Sequence, residues 1–318
     1  MHVIRVTPEE YEKLVPDRRV FFNEPRFSEL NKDKVDQVHY LIVMKDTSAR
    51  FGWILGQKGD VAKCPFSAPY SYPVEVRGGE RVAAYDEALQ AVETYCKEQG
   101  IKQLNITFPP LFYDEHVLSA WISAFYRNQY EVVNLDLSYA LDLQKLNVDV
   151  DQFGAMVTQK GRKALRKAMK SGLTLHKCET DAQMAEAYEM IRINHEAKGF
   201  PVRMTFQQVM DTMKLVDHDV FLVKHGETTV LAEFLYRVNK ETVQGIYCGV
   251  HPDYTEFNSM NFLTYQTIRY YGDLGYKILD KATATENSIP NYGLCDFKES
   301  VGATRSLKYS FKKDLSEE

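Results

Sequence analysis

The sequence predicts an α/β protein built from two similar units in tandem. Two observations carry this. A helix ending at glycine, then a strand, a helix and a strand, occurs twice. The junction reads Gly100-Ile101-Lys102-Gln103-Leu104 in the first copy and Gly275-Tyr276-Lys277-Ile278-Leu279 in the second. A repeat of element order together with local pattern points to an internal duplication. In addition, 318 residues with 44% apolar and 26% charged side chains have the size and balance of two ordinary globular domains. The boundary is expected at Asp149 to Phe153, dividing the chain into 1–150 and 151–318.

In the first copy, Val3 to Val6 reads as a strand and Thr7-Pro8-Glu9-Glu10 as a helix start. Asn23 to Asn31 is a loop or short helix. Val38 to Met44 and Phe51 to Gly56 are strands rich in β-branched and aromatic residues. Lys63 to Pro73 is punctuated by prolines and excludes a helix. Glu80 to Gln99 is a helix closed by Gly100. Gln103 to Phe108 is a strand closed by Pro109-Pro110, Asp114 to Arg127 a helix, and Val132 to Leu143 a strand.

The second copy opens with a basic helix over 160–172. Six bases fall between Lys160 and Lys170, and no acid occurs between Phe153 and Lys177. Lys163, Arg166, Lys167 and Lys170 share one helical face. Leu175 to Cys178 follows as a strand, then helices at Asp181 to Ala197 and Thr205 to Leu215. Val220 to Val223, Val230 to Val238 and Val243 to Val250 read as three antiparallel strands. A helix begins at Asn258-Ser259, either of which can cap its free amides, and Gly275 stops it. Lys277 to Ala282 is a strand, Thr283 to Ile289 a loop, Asn291 to Ala303 a helix ending at glycine, and Ser306 to Phe311 the last strand.

Composition narrows the function. A formal charge of −5 and a pI near 6.0 argue against a protein held to DNA by bulk charge, while leaving a local basic patch open. Five cysteines, scattered and without a CxxC pair, suggest neither a disulfide framework nor a metal site, and fit a reducing cytoplasm. The N-terminus lacks the apolar core of a signal peptide, and no run reaches the ~20 apolar residues of a membrane span. No HExxH, P-loop or GxSxG motif is present.

The strand–helix–strand–helix–strand order from Val243 onward resembles the second half of a GCN5-related N-acetyltransferase (GNAT) domain. In that family the later helix carries Asn, then Ala, Tyr and Gly-Phe three, seven, and eleven to twelve residues on. Here those offsets hold Asn291, Leu294, Lys298, Gly302 and Ala303, so a lysine stands where the family has its usual general acid. The phosphate loop also departs: Asp253-Tyr254-Thr255-Glu256-Phe257-Asn258 has no glycine. Phe297-Lys298-Glu299-Ser300-Val301-Gly302 is similar to the Phe-Lys-x-x-x-Gly segment of the FemAB-like group, tandem GNAT proteins that include aminoacyltransferases extending peptidoglycan cross-bridges. That resemblance covers most of the chain, including Lys63 to Pro69 and Phe108-Pro109-Pro110. It implies two GNAT-like units, each a mixed, mostly antiparallel sheet flanked by helices, the second holding the donor and the first the acceptor.

The resemblance implies an acyltransferase that moves an acyl or aminoacyl group to an amine, with acyl-CoA or aminoacyl-tRNA as co-substrate and no tightly bound cofactor. The acceptor would be a small molecule, a nucleotide-sugar or a cell-envelope precursor. Lys298 would stabilise charge near the reacting ester; its bland reading is a solvated helix lysine. Glu233 can deprotonate an amine, or be a half-exposed strand glutamate. Gly249 and Val250 would supply a backbone amide to the donor carbonyl. Asn258, Ser259 and Asn291 would lie against the donor, the first two at a helix end suited to phosphate or simply capped. Arg162 and Arg166 of the basic helix can hold a phosphate-bearing substrate or tRNA, or face solvent. Phe66, Tyr70 and Tyr72 can wall an acceptor groove, or pack a surface loop. A different class stays open: a catalytically inactive tandem unit that binds a nucleotide-sugar or a protein.

Overall fold

The computed structural model describes residues 1–17, 19–199 and 202–316. The first turn of helix illustrates how directly local sequence acts. Thr7 Oγ1 accepts from the Glu10 amide at 3.2 Å and Glu10 Oε2 accepts from the Thr7 amide at 2.9 Å, a reciprocal cap that satisfies two otherwise orphaned donors. In chain order the first half contains β1 (His2–Val6), α1 (Pro8–Leu14), α2 (Pro25–Leu30), β2 (Gln37–Lys45), β3 (Ser48–Lys58), β4 (Val61–Cys64), β5 (Val74–Glu75), α3 (Val82–Glu98), β6 (Gln103–Thr107), α4 (Glu115–Arg127) and β7 (Glu131–Asp142). The second contains α5 (Leu143–Leu146), α6 (Val150–Met156), α7 (Gln159–Met169), β8 (Leu173–Lys177), α8 (Asp181–Ala197), α9 (Phe206–Met213), β9 (His218–His225), β10 (Thr228–Arg237) and β11 (Thr242–Val250). It continues with α10 (Ser259–Asp273), β12 (Ile278–Thr283), the short pair β13 (Thr285–Glu286) and β14 (Ile289–Pro290), α11 (Tyr292–Ser300) and β15 (Thr304–Asp314).

These elements form two units, Met1–Leu137 with Ser306–Glu318, and Ser138–Arg305. The expected division into 1–150 and 151–318 is therefore corrected. The chain enters its second unit at Ser138, within β7, and its last strand returns to the first. In the first unit the strand order is β1-β2-β3-β4-β6-β15, with β5 on β3. All pairs there are antiparallel except β4 with β6. In the second it is β7-β12-β11-β10-β9-β8, again with one parallel junction, β11 with β12. In each unit a parallel junction thus follows an antiparallel series, as duplication requires. Gly100 and Gly275, at φ 72° and 86°, end the corresponding helices in the left-handed region that glycine alone enters without strain.

The first unit's core is aromatic: Trp121 packs against Tyr85 and Phe51 with ring centroids 4.8 and 5.1 Å apart. The second unit's core includes buried charged residues, Asp219 among them. Asp219 on β9 takes Lys177 at 2.6 Å, Arg237 at 2.8 Å and the Tyr271 hydroxyl at 2.9 Å. These contacts tie β8, β9 and β10 to α10.

One close approach fixes α7. A Cβ added to Gly161 would lie 2.0 Å from the Ser300 carbonyl oxygen at the end of α11, and that oxygen is backbone. Gly161→Ala is therefore expected to destabilise the protein by about 1–3 kcal/mol, the range for overpacking. A urea melt reads this, and an unchanged midpoint would mean that α7 does not seat on α11 this closely.

Candidate active site

The ladder between β11 and β12 contains three pairs, Thr242 with Ile278, Val243 with Leu279 and Gln244 with Asp280. From Gly245 onward the two strands no longer pair, while β11 continues to Val250 against β10. One edge of β11 is therefore released from the ladder over Gly245–Val250. Backbone groups freed from a sheet are available to a ligand or to water.

The opening is built by irregularities in both strands, β12 and β11. In β12 the register with β7 shifts between Asp280 and Thr283, and Ala282 has φ 59°, a conformation that disfavours a residue with a Cβ. Two side chains hold this bulge. Asp280 Oδ1 accepts from the Ala282 amide at 2.7 Å. From α11, Lys298 Nζ donates to the Ala282 and Thr283 carbonyls at 2.9 and 2.8 Å. In β11 the register with β10 slips at Ile246, between Phe234–Tyr247 and Leu235–Gly245, as bulges do when they re-aim side chains.

The bulge accompanies an inward-turned Lys281. Its Nζ lies 2.6 Å from Glu233 Oε1, and the two side chains are only 7% and 1% exposed. Burial works to lower the Lys281 pKa, but the Glu233 carboxylate outweighs it and the net shift is upward. Glu233 Oε2 is buried with no partner among the described residues. Room for the carboxylate comes from Gly245, where an added Cβ would sit 3.0 Å from Glu233 Oε1. Cys248 lies across from Glu233 in the ladder, and its sulfur contacts Met260 Sδ at 3.3 Å. Burial and the nearby carboxylate push its thiol far up, so it is a core thiol rather than a nucleophile.

Lys298 is 5% exposed, which replaces the solvated-helix reading. Burial first, and the positive charge of Lys281 second, push its pKa down to about 8. Its ammonium also stands 5.5 Å from the Tyr139 ring centre, and Tyr139 in turn donates to Glu299 Oε1 at 2.9 Å. Two of its N–H groups are committed to carbonyls. The remaining position carries a proton at low pH and a lone pair at high pH, and neither state breaks the two carbonyl bonds.

At the far end of β11 the chain passes through Pro252–Phe257 into α10. Asn258 takes φ 53°, and no side chain caps the helix; its amide group donates instead to Glu256 O at 3.2 Å. This corrects the expected cap by Asn258 or Ser259. The Ser259 hydroxyl is buried and unpartnered among the described residues, in a residue 1% exposed. The loop is ordered by stacking of Phe257 on His225, 4.5 Å apart. An uncapped start of a 15-residue helix keeps its amides and dipole available to an anion.

Gly249 and Val250 lie on the freed stretch of β11. An added Cβ at Gly249 would meet the Ile191 Cα of α8 at 2.9 Å, so glycine lets α8 close on this strand. Asn194 of α8 donates to Val250 O at 2.6 Å, and its own carbonyl oxygen is buried without a partner among the described residues. Asn291 caps α11, accepting from the Leu294 amide at 3.0 Å.

Glu233, Lys281 and Lys298 thus gather around the separation of β11 from β12. Arg162 and Arg166 do not join them. Gly161 is the α7 residue that meets α11, Arg162 donates to Gly154 O, and Arg166 is exposed. Tyr70 and Tyr72 are 1% and 3% exposed, and Tyr70 packs against Phe22 and Tyr113 with centroids 5.2 and 4.9 Å apart. They are core residues of the first unit, which overturns the wall reading for this pair. Phe66 covers Gly56, where an added Cβ would overlap its ring at 2.4 Å. Sequence reasoning missed Lys281 and Asn194. Neither stands in a motif, and each becomes notable only through a partner far away in the chain.

Among the described residues no helix is long and apolar enough to cross a membrane. No family model matches the chain, and no curated protein matches it. Solved structures do. FemX is similar over 98% of this chain and 97% of its own, with 14% identity and a TM-score of 0.68. The C-terminal domain of a putative lysylphosphatidylglycerol synthetase from Agrobacterium fabrum is similar over 96% and 92%, with 10% identity and a TM-score of 0.62. A tandem GNAT protein from the clavulanic acid biosynthesis pathway is similar over 99% and 98%, with 9% identity and a TM-score of 0.57. The fold is that of the FemX-like tandem GNAT proteins, as the resemblance implied.

Proposed function

We propose that the protein is an N-acyltransferase, moving an acyl or aminoacyl group from a phosphate-bearing activated donor to an amine. The observation that carries this reading is the opening between β11 and β12, with a free strand edge on one side and Glu233, Lys281 and Lys298 gathered at it. The freed stretch of β11 would hold the donor carbonyl, and the uncapped start of α10 its phosphates. The amine nitrogen attacks the carbonyl carbon. A C–N bond forms, and the C–S bond of a thioester or C–O bond of an ester breaks. Glu233 Oε2, its only unpartnered carboxylate oxygen, is the base for the proton that the amine gives up. Lys281, 2.6 Å from Glu233 Oε1, fixes that carboxylate in place. Lys298, in its protonated form, offsets the negative charge that develops on the carbonyl oxygen and the leaving group. Binding and orientation supply much of the rate in such a direct attack, and fixed charge at a dry site much of the remainder.

The donor is acyl-CoA or aminoacyl-tRNA, and the acceptor an amine on a small molecule or cell-envelope precursor. Similarity to FemX and to a lysylphosphatidylglycerol synthetase domain supports a donor or acceptor of this general kind. Titrating the protein with CoA, acetyl-CoA, longer acyl-CoAs and charged tRNA while following its melting point separates the donors. A ligand at a hundred times its Kd stabilises the native state by about 2.7 kcal/mol, a rise of about 4 °C for a protein of this size. A saturable rise with one donor class is expected. No rise with any of them at millimolar acyl-CoA or micromolar tRNA would leave a binding protein without this chemistry.

A further inference from the structure

The outward face of α7 takes no part in the site above. Lys160, Lys163, Arg166, Lys167 and Lys170 are all exposed, and none forms an ion pair among the described residues. They lie opposite Gly161, Leu165 and Ala168, the buried face of the helix. Residues 154–176 carry six cations and no acid, and taking those six from the formal net charge of −5 leaves the rest of the chain at −11. A negatively charged surface would therefore be attracted at α7 and repelled elsewhere, which orients the encounter as well as strengthening it.

We propose that this face docks the protein on an anionic phospholipid surface. Five exposed cations spread along one helix suit a broad array of charge better than one small anion. Its chemistry separates lipid from nucleic acid. RNA recognition adds stacking on aromatic rings or on arginine planes, whereas four of the five exposed cations here are lysines, compact point charges suited to head-group phosphates, and the helix has no aromatic residue. Apolar groups flank the charges instead: Met156 and Met169 are 46% and 40% exposed. Between α6 and α7 lies a cavity of about 120 Å³. Val150, Gly154, Leu165 and Met169 form its apolar lining, with Arg166 and Lys170 beside them; Asp151 also borders it. An apolar hollow edged by cations matches the junction of acyl chain and phosphate in a phospholipid. Interfacial binding of this kind draws on both buried apolar area and attraction to anionic head groups.

The test is co-sedimentation of the full-length protein with phosphatidylcholine vesicles, with and without phosphatidylglycerol. Binding is expected only with phosphatidylglycerol and should weaken steeply with salt. Each lysine or arginine near such a surface contributes about a fivefold gain in partitioning, so Lys163→Ala/Arg166→Ala/Lys167→Ala should lower it by roughly a hundredfold. The exposed triple Lys13→Ala/Lys58→Ala/Lys97→Ala serves as control and should leave it unchanged; circular dichroism checks that both variants are folded. The proposal is overturned by absence of binding to the anionic vesicles, by equal losses in the two triples, or by binding of RNA in place of vesicles. Because the readout is partitioning, it stands or falls separately from any acyl-transfer assay.

Discussion

Lys281→Met is expected to destabilise the protein by about 3–5 kcal/mol, the range for removing one partner of a buried ion pair. The variant leaves the Glu233 carboxylate 1% exposed with its one cation gone, and the remaining charge must then be neutralised or hydrated. Equilibrium urea denaturation reads the loss. The double variant Lys281→Met/Glu233→Gln should recover most of it, because it removes the second charge as well. Stability and activity then part company. If Glu233 is the base, the double variant refolds to near parental stability yet turns over about 10²–10⁴ times more slowly, the usual contribution of a positioned base. A single variant within 1 kcal/mol of the parent would show that the pair is not ionised, and a fully active double variant would remove Glu233 from the mechanism. The pH dependence is fixed in sign. The Lys281 pKa is raised in the folded protein, so the pair's contribution is fully present below the unfolded lysine's pKa and disappears only as pH climbs through the higher folded value. Between pH 5 and 8, below both lysine values, Lys281 should therefore add no slope to the stability profile.

Lys298→Met should reduce kcat/KM by about 10²–10³-fold, the loss seen when one preorganised donor to a developing oxyanion is removed. Its pH signature distinguishes charge stabilisation from simple packing. With a pKa near 8, the protonated form fades as pH rises through that value, so kcat should fall on the alkaline side. In the methionine variant that fall should vanish. Comparing both proteins with the same acceptor cancels the acceptor amine's own titration. Stability moves the other way. Between about 8 and the ordinary value of 10.5 the unfolded chain binds the proton that the folded chain has lost, so this residue alone makes the native state gain stability with rising pH. Persistence of the alkaline fall in Lys298→Met would assign it to another group. Parental activity with lowered stability would mean that Lys298 serves only to clamp the bulge of β12.

The glycine-terminated helices and the strands rich in β-branched residues were legible because each is decided by neighbours in sequence. The stretch expected to be a strand at Val38 to Met44 is β2, Gln37–Lys45, and Gly100 and Gly275 end their helices as anticipated. The position of Lys298 on a helix was legible through the Phe297-Lys298 resemblance, but its burial was not. Lys298 is drawn inward by carbonyls that exist only because β12 bulges, and nothing about alanine at 282 announces φ 59°. For the same reason Lys281 was invisible: a lysine in a strand is ordinarily a solvent-facing residue, and its carboxylate partner stands 48 residues earlier. Tyr70 and Tyr72 were misread in the opposite direction. A proline-rich segment suggests a surface loop, yet both rings are buried, Tyr70 against Phe22 and Tyr113.

The last strand has a bearing on how the chain is made. Residues Ser310–Asp314 pair with Gln103–Thr107 of the first unit, Phe311 packs on Phe125 with centroids 5.5 Å apart, and Lys313 meets Glu93 at 2.9 Å. The first unit cannot close its sheet until β15 has left the ribosome. Until then β6 offers an unpaired edge, the kind of surface that recruits other chains, and its long-range partner imposes a slow, late step. Premature termination just before Ser306 would thus injure the half of the protein synthesised first.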